Sequence, residues 1–321
     1  LYEPVYRDGE LVELAPIDNA VPRIVEKRTI LDLGDWPYPK QGLVPLTDVV
    51  HDRLNVEVFR GCTRGCRFCQ AGMITRPVRE RPRTQVVDFS GIEDVVRDVM
   101  DPSSGCGRVS VSLPSLRVDA FTVGTATALQ QARRGGLTFA PEGGTWRMRR
   151  VINKLISEED LFAATDAAFA NGWQRVKLYF LIGLPTERDE DVLGIAHLGA
   201  KVVEIGKKYH RHVTVTASVG GFVPKPNTPF QWYGMNSPEE LQRKVDLLRE
   251  ASRNVKGLSI RWHDPEASAA EGLASKGDRR MGAVIERVWR DGGTFQEWGE
   301  HFKLDRWLRA LEAEGLSLDS V

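Results

Sequence analysis

The sequence predicts an α/β protein: a partial (β/α) barrel followed by a mainly helical C-terminal extension. Three observations carry this. From Asn55 onward, short β-branched or apolar runs alternate with helical stretches, the pattern of parallel βα units. A cysteine-rich segment, "GCTRGCRFC", directly follows the first of these runs, and barrels place their chemistry at the C-terminal ends of strands. The last third then trades strand patterns for helical ones.

Residues 1–54 read as irregular, rich in proline and in acid/base pairs ("YEPVYRDGELVELAPIDNAVP", "DWPYPKQGLVPLTD"), with no repeat and no strong helix. The expected strands are "NVEVF" (55–59), "RVSVSL" (108–113), "GLTFA" (136–140), "RVKLYFLI" (175–182) and "HVTVTASV" (212–219). A helix should start at Ser157, where Ser157-x-x-Asp160 forms a capping-box-like start, and stop at Gly172. In Ser237-Pro238-Glu239-Glu240 an N-cap, an N1 proline and a capping-box Glu come together, and Leu241, Val245 and Leu248 then share a helix face. "SIRWHDPE" (259–266) reads as a strand with a polar end, and two more helices are expected around 278–290 and 304–314. Leu304, Trp307, Leu308 and Leu311 form a stripe whose simplest role is core packing. The division expected is 1–54 as an N-terminal remnant or linker, 55–235 as the barrel and 236–321 as the helical extension.

The bulk composition narrows the function. With 321 residues the chain is long enough for a substantial core. Lys+Arg and Asp+Glu both number 44, so no net charge draws it toward nucleic acid or a membrane surface. No apolar run approaches the ~20 residues that span a bilayer, and no secretory segment is visible. The chain begins at Leu1 within sequence that reads as folded, the expected look of a fragment or processed form. Three close cysteines and one distant one do not make a disulfide framework, so a reducing, cytoplasmic setting is expected.

Cys62, Cys66 and Cys69 are spaced C-x3-C-x2-C. Structural zinc wants a closed tetrahedral set, usually from two C-x2-C pairs, and no second pair follows. His51 and Cys106 are fourth-ligand candidates at no familiar spacing, and a disulfide would leave one cysteine odd. A [4Fe–4S] cluster with thiolates on three irons fits better, because the open fourth iron can take an exogenous ligand. A ligand bearing both amine and carboxylate suits that iron, and the cofactor that fits is S-adenosylmethionine (SAM), whose reductive cleavage yields a carbon radical.

At these residues the chain resembles the radical SAM superfamily: the three cysteines, with aromatic Phe68 just before the third, match its signature. The phrases "FRGCTRGCRFCQAGMITRPVRER", "VSVSLPSLRVDAF", "LTFAPEGGT", "KLYFLIGLPTE", "FVPKPNTPFQW" and "WHDP" are similar to the uncharacterised family of radical SAM proteins with a cobalamin-binding-like N-terminal region. "LYEPVY" looks like the end of that region, so cobalamin binding is not expected. The resemblance implies a barrel of the radical SAM type, Cys62, Cys66 and Cys69 as cluster ligands and Phe68 beside the adenine. It also implies Glu142 as an acidic partner of the SAM amine or ribose, and Gly183 with Pro185 at a strand-to-loop turn near the adenine. An external reductant such as flavodoxin or ferredoxin is implied too.

Other positions follow from chemistry. Glu142 also suits a helix N-terminus. Gly143-Gly144-Thr145 can admit a ligand close to the backbone or simply turn into a helix. Arg117 can pair with the SAM carboxylate, as a planar guanidinium suits a carboxylate, and Ser112 and Ser115 are weaker candidates. Lys225 and Trp232 sit on a proline-stiffened loop expected on the substrate side. His263 and Asp264 can form a hydrogen-bonded pair. Arg76, Arg79, Arg81 and Arg83 can bind phosphate on RNA or a nucleotide, or form a solvated loop with local ion pairs.

The sequence departs from the family between Val87 and Asp88, where roughly 20 residues, one helix and one strand, are expected to be missing. Three functions follow as expectations. The first is a radical SAM enzyme acting on an unknown substrate, with RNA or a ribosome-linked target suggested by analogy. The second is a non-catalytic iron–sulfur protein that carries electrons or binds a partner. The third is a zinc-binding interaction module.

Overall fold

The computed structural model describes residues 2–36, 59–80 and 137–318. The chain opens with an antiparallel hairpin, β1 (Tyr2–Arg7) and β2 (Glu10–Pro16), where the sequence had suggested irregular structure. Asp8 and Gly9 both take positive φ, 51° and 83°, which is the two-residue turn whose twist matches paired strands. The hairpin is tied to distant residues: Arg279 Nη1 donates to the Tyr2 carbonyl, Arg280 Nη1 donates to the Gly9 carbonyl, and the Arg280 guanidinium lies 4.6 Å from the Tyr6 ring centre.

Two short strands, β3 (Phe59–Arg60) and β4 (Arg79–Glu80), bracket the cysteine segment and pair antiparallel. The main sheet comprises β5 (Leu137–Glu142), β6 (Arg175–Ile182), β7 (Thr214–Gly221) and β8 (Leu258–Trp262), all parallel and in that spatial order. Strand order follows chain order. Successive crossovers therefore stack on one face, the winding of a barrel wall rather than of a doubly wound sheet. The crossovers run through α1 (Trp146–Val151) and α2 (Glu158–Ala170), then α3 (Asp189–Lys207), then α4 (Pro238–Ser252). Because β8 continues the sheet, the parallel wall runs past residue 235, where the helical extension was expected to begin.

Alternation explains the core. In β6, Val176, Leu178, Phe180 and Ile182 are buried while the residues between them are not. They meet Leu161 and Phe169 of α2, Ile195 and Val202 of α3, and Leu241, Val245 and Leu248 of α4 in one cluster. Each such fully buried side chain contributes about 1.5–3 kcal/mol relative to exposure. The helix ends were legible: Ser157 and Asp160 form both halves of a capping box, and Ser237 Oγ accepts from the Glu240 N–H before an N1 proline. Gly172 follows α2 at φ 89°.

Three further helices, α5 (Pro265–Lys276), α6 (Met281–Arg290) and α7 (Leu304–Ala313), close the chain. Leu273, Met281, Val284, Val288, Ala310 and Leu311 form a second core, with Trp307 and Leu308 packed on it, so three of the four residues of the expected stripe are packing residues. No helix among the described residues is long and apolar enough to cross a membrane.

Candidate functional site at the strand ends

The cysteine loop runs from β3 to β4. Cys66 is buried, Cys62 and Cys69 are half-buried, and all three are free thiols. Gly61 takes φ 101° at its start, and a side chain there would lie 2.7 Å from the Thr75 carbonyl oxygen, so the loop closes only on glycine. The loop is held from two sides. From one side, the Arg67 N–H donates to Ile152 O (2.9 Å), the Arg67 guanidinium to Val151 O (2.5 Å), and Asn153 Nδ2 to Gly65 O (3.0 Å). From the other, the Phe230 N–H donates to Arg67 O (3.1 Å) and Gln70 Nε2 to Pro226 O (2.9 Å). Phe68 packs against the buried Met148, Ile152, Leu184, Phe222 and Phe230.

One side of this clamp grows directly out of β5. Glu142 ends the strand at φ 66°, an uncommon conformation for a non-glycine residue. Its carboxylate accepts from Lys154 Nζ at 3.0 Å, with both side chains about one-sixth exposed. Burial pushes the Glu142 carboxyl above the usual range, and the Lys154 ammonium opposes it. Burial likewise pushes the Cys66 thiol up; Lys154 opposes, while Cys69, Cys62 and Glu142 add to the rise. The pair and the three thiols therefore share one electrostatic neighbourhood. Gly143 O accepts from Arg149 Nη1 (3.1 Å), and Arg149 is fully buried with Glu158 Oε1 at 3.3 Å. The glycine at 144 serves a different purpose from close approach to a ligand. A Cβ there would overlap the Asp191 carbonyl oxygen and lie 2.6 Å from the Ile195 nitrogen, so the turn abuts the backbone of α3. Thr145 caps α1 and donates to Asp191, which also pairs with Arg147.

After β6, Gly183 takes φ 79° and its N–H donates to Glu187 Oε2 (2.7 Å). Glu187 also accepts from Lys244 Nζ (2.8 Å), and this ion pair is buried at 2% and 6% side-chain exposure. Lys225 Nζ reaches Glu271 (2.5 Å) and Ser275 (2.9 Å) on α5, while Trp232 is 85% exposed. Asp264 caps α5 by accepting from the Glu266 N–H (2.8 Å), and His263 is exposed. Arg79 is buried and spends its guanidinium on the carbonyls of Pro77, Ile30 and Thr75; the Arg76 carbonyl accepts from Lys27 Nζ.

Arg117, Ser112, Ser115, His51, Cys106, Arg81, Arg83 and the junction of Val87 with Asp88 lie outside the described residues. Among the described residues no group of three or more His, Cys, Asp or Glu side chains is arranged to hold one metal ion. Lys154 and Asn153 were not singled out from sequence. Their only local signal was position, in the turn after the helix that follows Glu142.

No family model matches the chain. It is 28% identical over 279 residues to an uncharacterized protein of Methanocaldococcus jannaschii, an alignment covering 81% of this chain and 60% of that relative. Among solved structures it is similar to HydG, a maturase of the [FeFe]-hydrogenase, at 16% identity and a TM-score of 0.46, over 68% of this chain and 54% of that one. A likeness of that size says nothing about chemistry. The chain thus spans less than two thirds of the length of either protein.

Proposed function

We propose that this chain is a radical SAM enzyme, with Cys62, Cys66 and Cys69 ligating a [4Fe–4S] cluster and SAM bound beside it. The observation that carries the reading is the constellation at the strand ends: three thiols on one loop that Asn153 clamps, next in the chain to Lys154, whose ion pair with Glu142 ends β5 and acts electrostatically on Cys66. The donor set fits such a cluster. Thiolates are the ligands iron–sulfur clusters use, and each iron takes its own, so the three need not meet at one point. Cys62, Cys66 and Cys69 would hold the cluster, whose chemistry, when bound and reduced, would be one-electron reductive cleavage of SAM to methionine and a 5′-deoxyadenosyl radical.

The chain's own residues have the remaining tasks. Asn153 and the Arg67 contacts hold the thiol loop against α1. Phe68 lies among apolar side chains that keep water from one side of the loop. Glu142 offers a carboxylate to an amine or to ribose hydroxyls, and Lys154 is placed to neutralise charge gathered near Cys66. Gly183 contributes shape rather than a donor, since its N–H is taken by Glu187. Arg117 remains the proposed partner of the SAM carboxylate. A flavodoxin- or ferredoxin-type reductant in a cytoplasmic setting completes the proposal, with RNA as one substrate class to screen.

The test is anaerobic. The chain is reconstituted with iron and sulfide, reduced with dithionite and given SAM, and 5′-deoxyadenosine is quantified against a Cys66→Ala blank. Production above the blank is expected. A loaded cluster that leaves SAM intact would instead favour a non-catalytic iron–sulfur protein, and zinc held in place of iron would overturn both.

A further inference from the structure

The main sheet has a second face. Alternating with the core residues are Thr138 on β5, Lys177 and Tyr179 on β6, Thr216 and Ser218 on β7, and Ser259 and Arg261 on β8. Register aligns them into two rows. Thr138, Lys177, Thr216 and Ser259 lie side by side, and Tyr179, Ser218 and Arg261 form the next row.

The chemistry of these rows is one-sided. Five carry hydroxyls, two carry cations and none carries an acid. Lys177 Nζ sits 4.7 Å from the Tyr179 ring centre, and Ser259 Oγ donates to Thr216 Oγ1 at 3.3 Å. Lys177 is half-buried, and among the described residues no carboxylate pairs with it or with Arg261. A lysine drawn partly out of water ordinarily finds an anion. Elsewhere the chain supplies one: Lys154, Lys225 and Lys244 each have a carboxylate. Tyr179 lies three residues before the end of β6, about 10 Å along the strand by its rise. The rows therefore lie below the strand ends that carry Glu142 and, through the clamped loop, Cys66.

We infer that this face binds the phosphate group of a small phosphate monoester, with Lys177 and Arg261 supplying charge and Tyr179, Thr216 and Ser218 supplying hydrogen bonds. A phosphate group offers several acceptor oxygens at once, which matches a mixed set of cationic and hydroxyl donors better than a carboxylate does. That the ligand is the substrate of the strand-end site rests on the proposed function; that the face binds phosphate does not.

The experiment titrates inorganic phosphate, with acetate as the comparison anion, into the full chain and its Lys177→Met and Arg261→Met variants. Binding is read from amide chemical shifts, and each variant's thermal unfolding confirms that it is folded. Phosphate should bind more tightly than acetate, and each variant should weaken it about tenfold or more, as expected for the loss of a charge-assisted contact. Lys201→Met, which removes an exposed cation on α3, should leave binding unchanged. The inference is overturned if the chain binds no phosphate, if acetate binds as well, if neither sheet variant weakens binding, or if Lys201→Met weakens it equally. Cys66→Ala should bind phosphate like the unmodified chain. Phosphate binding without SAM cleavage would then defeat the proposed function alone, and cleavage without phosphate binding would defeat this inference alone.

Discussion

Asn153 offers a direct measure of how firmly the cysteine loop is held. It sits at φ 57° and donates to Gly65 O at 3.0 Å, with a second, longer contact of 3.4 Å to Arg64 O. Asn153→Ala removes the donor and forces alanine into the left-handed region. The lost hydrogen bond is worth about 0.5–1.5 kcal/mol and the conformation roughly 1–2 kcal/mol more. Asn153→Gly loses only the hydrogen bond, because glycine accepts that conformation. The assay is alkylation of Cys66, buried at 8% exposure, in the iron-free protein on a Cys62→Ser, Cys69→Ser background. A buried thiol reacts through local opening, so its rate follows the opening equilibrium. At 1.36 kcal/mol per decade, alanine should accelerate alkylation about ten- to four-hundredfold, and glycine about two- to tenfold. Equal rates for alanine and glycine would show that the backbone conformation costs nothing. Rates unchanged in both would show that the loop is not held through Asn153.

Other consequences follow from the same network. Gly144→Ala sets a methyl group against backbone atoms of α3 that cannot move aside, so it should cost about 3 kcal/mol and lower the melting temperature by roughly 6–12 °C. Burial acts to raise the Asp191 pKa, but bonds from Arg147, Thr145 and the Arg188 N–H outweigh it and hold the carboxyl below its usual range. The unfolded chain therefore takes up the proton first. The stabilisation is complete above about pH 4 and is lost as pH falls through the lower folded value. Asp191→Asn should lower the urea midpoint at neutral pH and flatten its acid decline. Lys244→Met strands Glu187, whose carboxyl burial already pushes upward, so it should cost about 3–5 kcal/mol and more as pH rises. Adding Glu187→Gln should recover most of that stability, and a double variant no better than the single would refute the pairing.

What the sequence disclosed was local. The strict alternation over 175–182 and the Ser157–Asp160 box each lie within one element, and both are found as read. The hairpin at 2–16 was legible too, since Asp8-Gly9 is a strong hairpin turn, but the surrounding prolines and charges drew attention away from it. Helix α5 was missed, although Asp264-Pro265-Glu266 repeats the cap-and-proline start seen before α4; an Ala-rich run lacks a clear apolar stripe. The partners of the site were hidden for a different reason. Nothing local links Asn153 to Gly65 across 88 residues, or Gly183 to Lys244 through Glu187. Likewise "EGGT" reads equally as a ligand-binding turn or a plain turn into a helix until the backbone of α3 is seen against Gly144.

These long-range contacts share a logic that bears on function. The segment 142–154 leaves the sheet and returns to it. Glu142 ends β5, Gly144 rests on α3, and Thr145 caps α1 while bonding to Asp191. Arg149, fully buried, reaches back to Gly143 O, and Lys154 closes the circuit on Glu142. On one of the cysteine loop's two sides, the groups that grip it, the carbonyls of Val151 and Ile152 and the amide of Asn153, all lie inside this circuit. The loop is therefore referenced to the parallel sheet through this short, internally bonded segment, and through Pro226 and Phe230 after β7, more than through its own flanking strands of two residues each. The proposed site, which would hold three thiols at a fixed position relative to a carboxylate, would need that kind of support, because a loop on short strands alone would open too readily. The strained φ of Glu142 fits the same requirement. It turns the end of the strand so that the carboxylate and the loop's anchor begin from one residue.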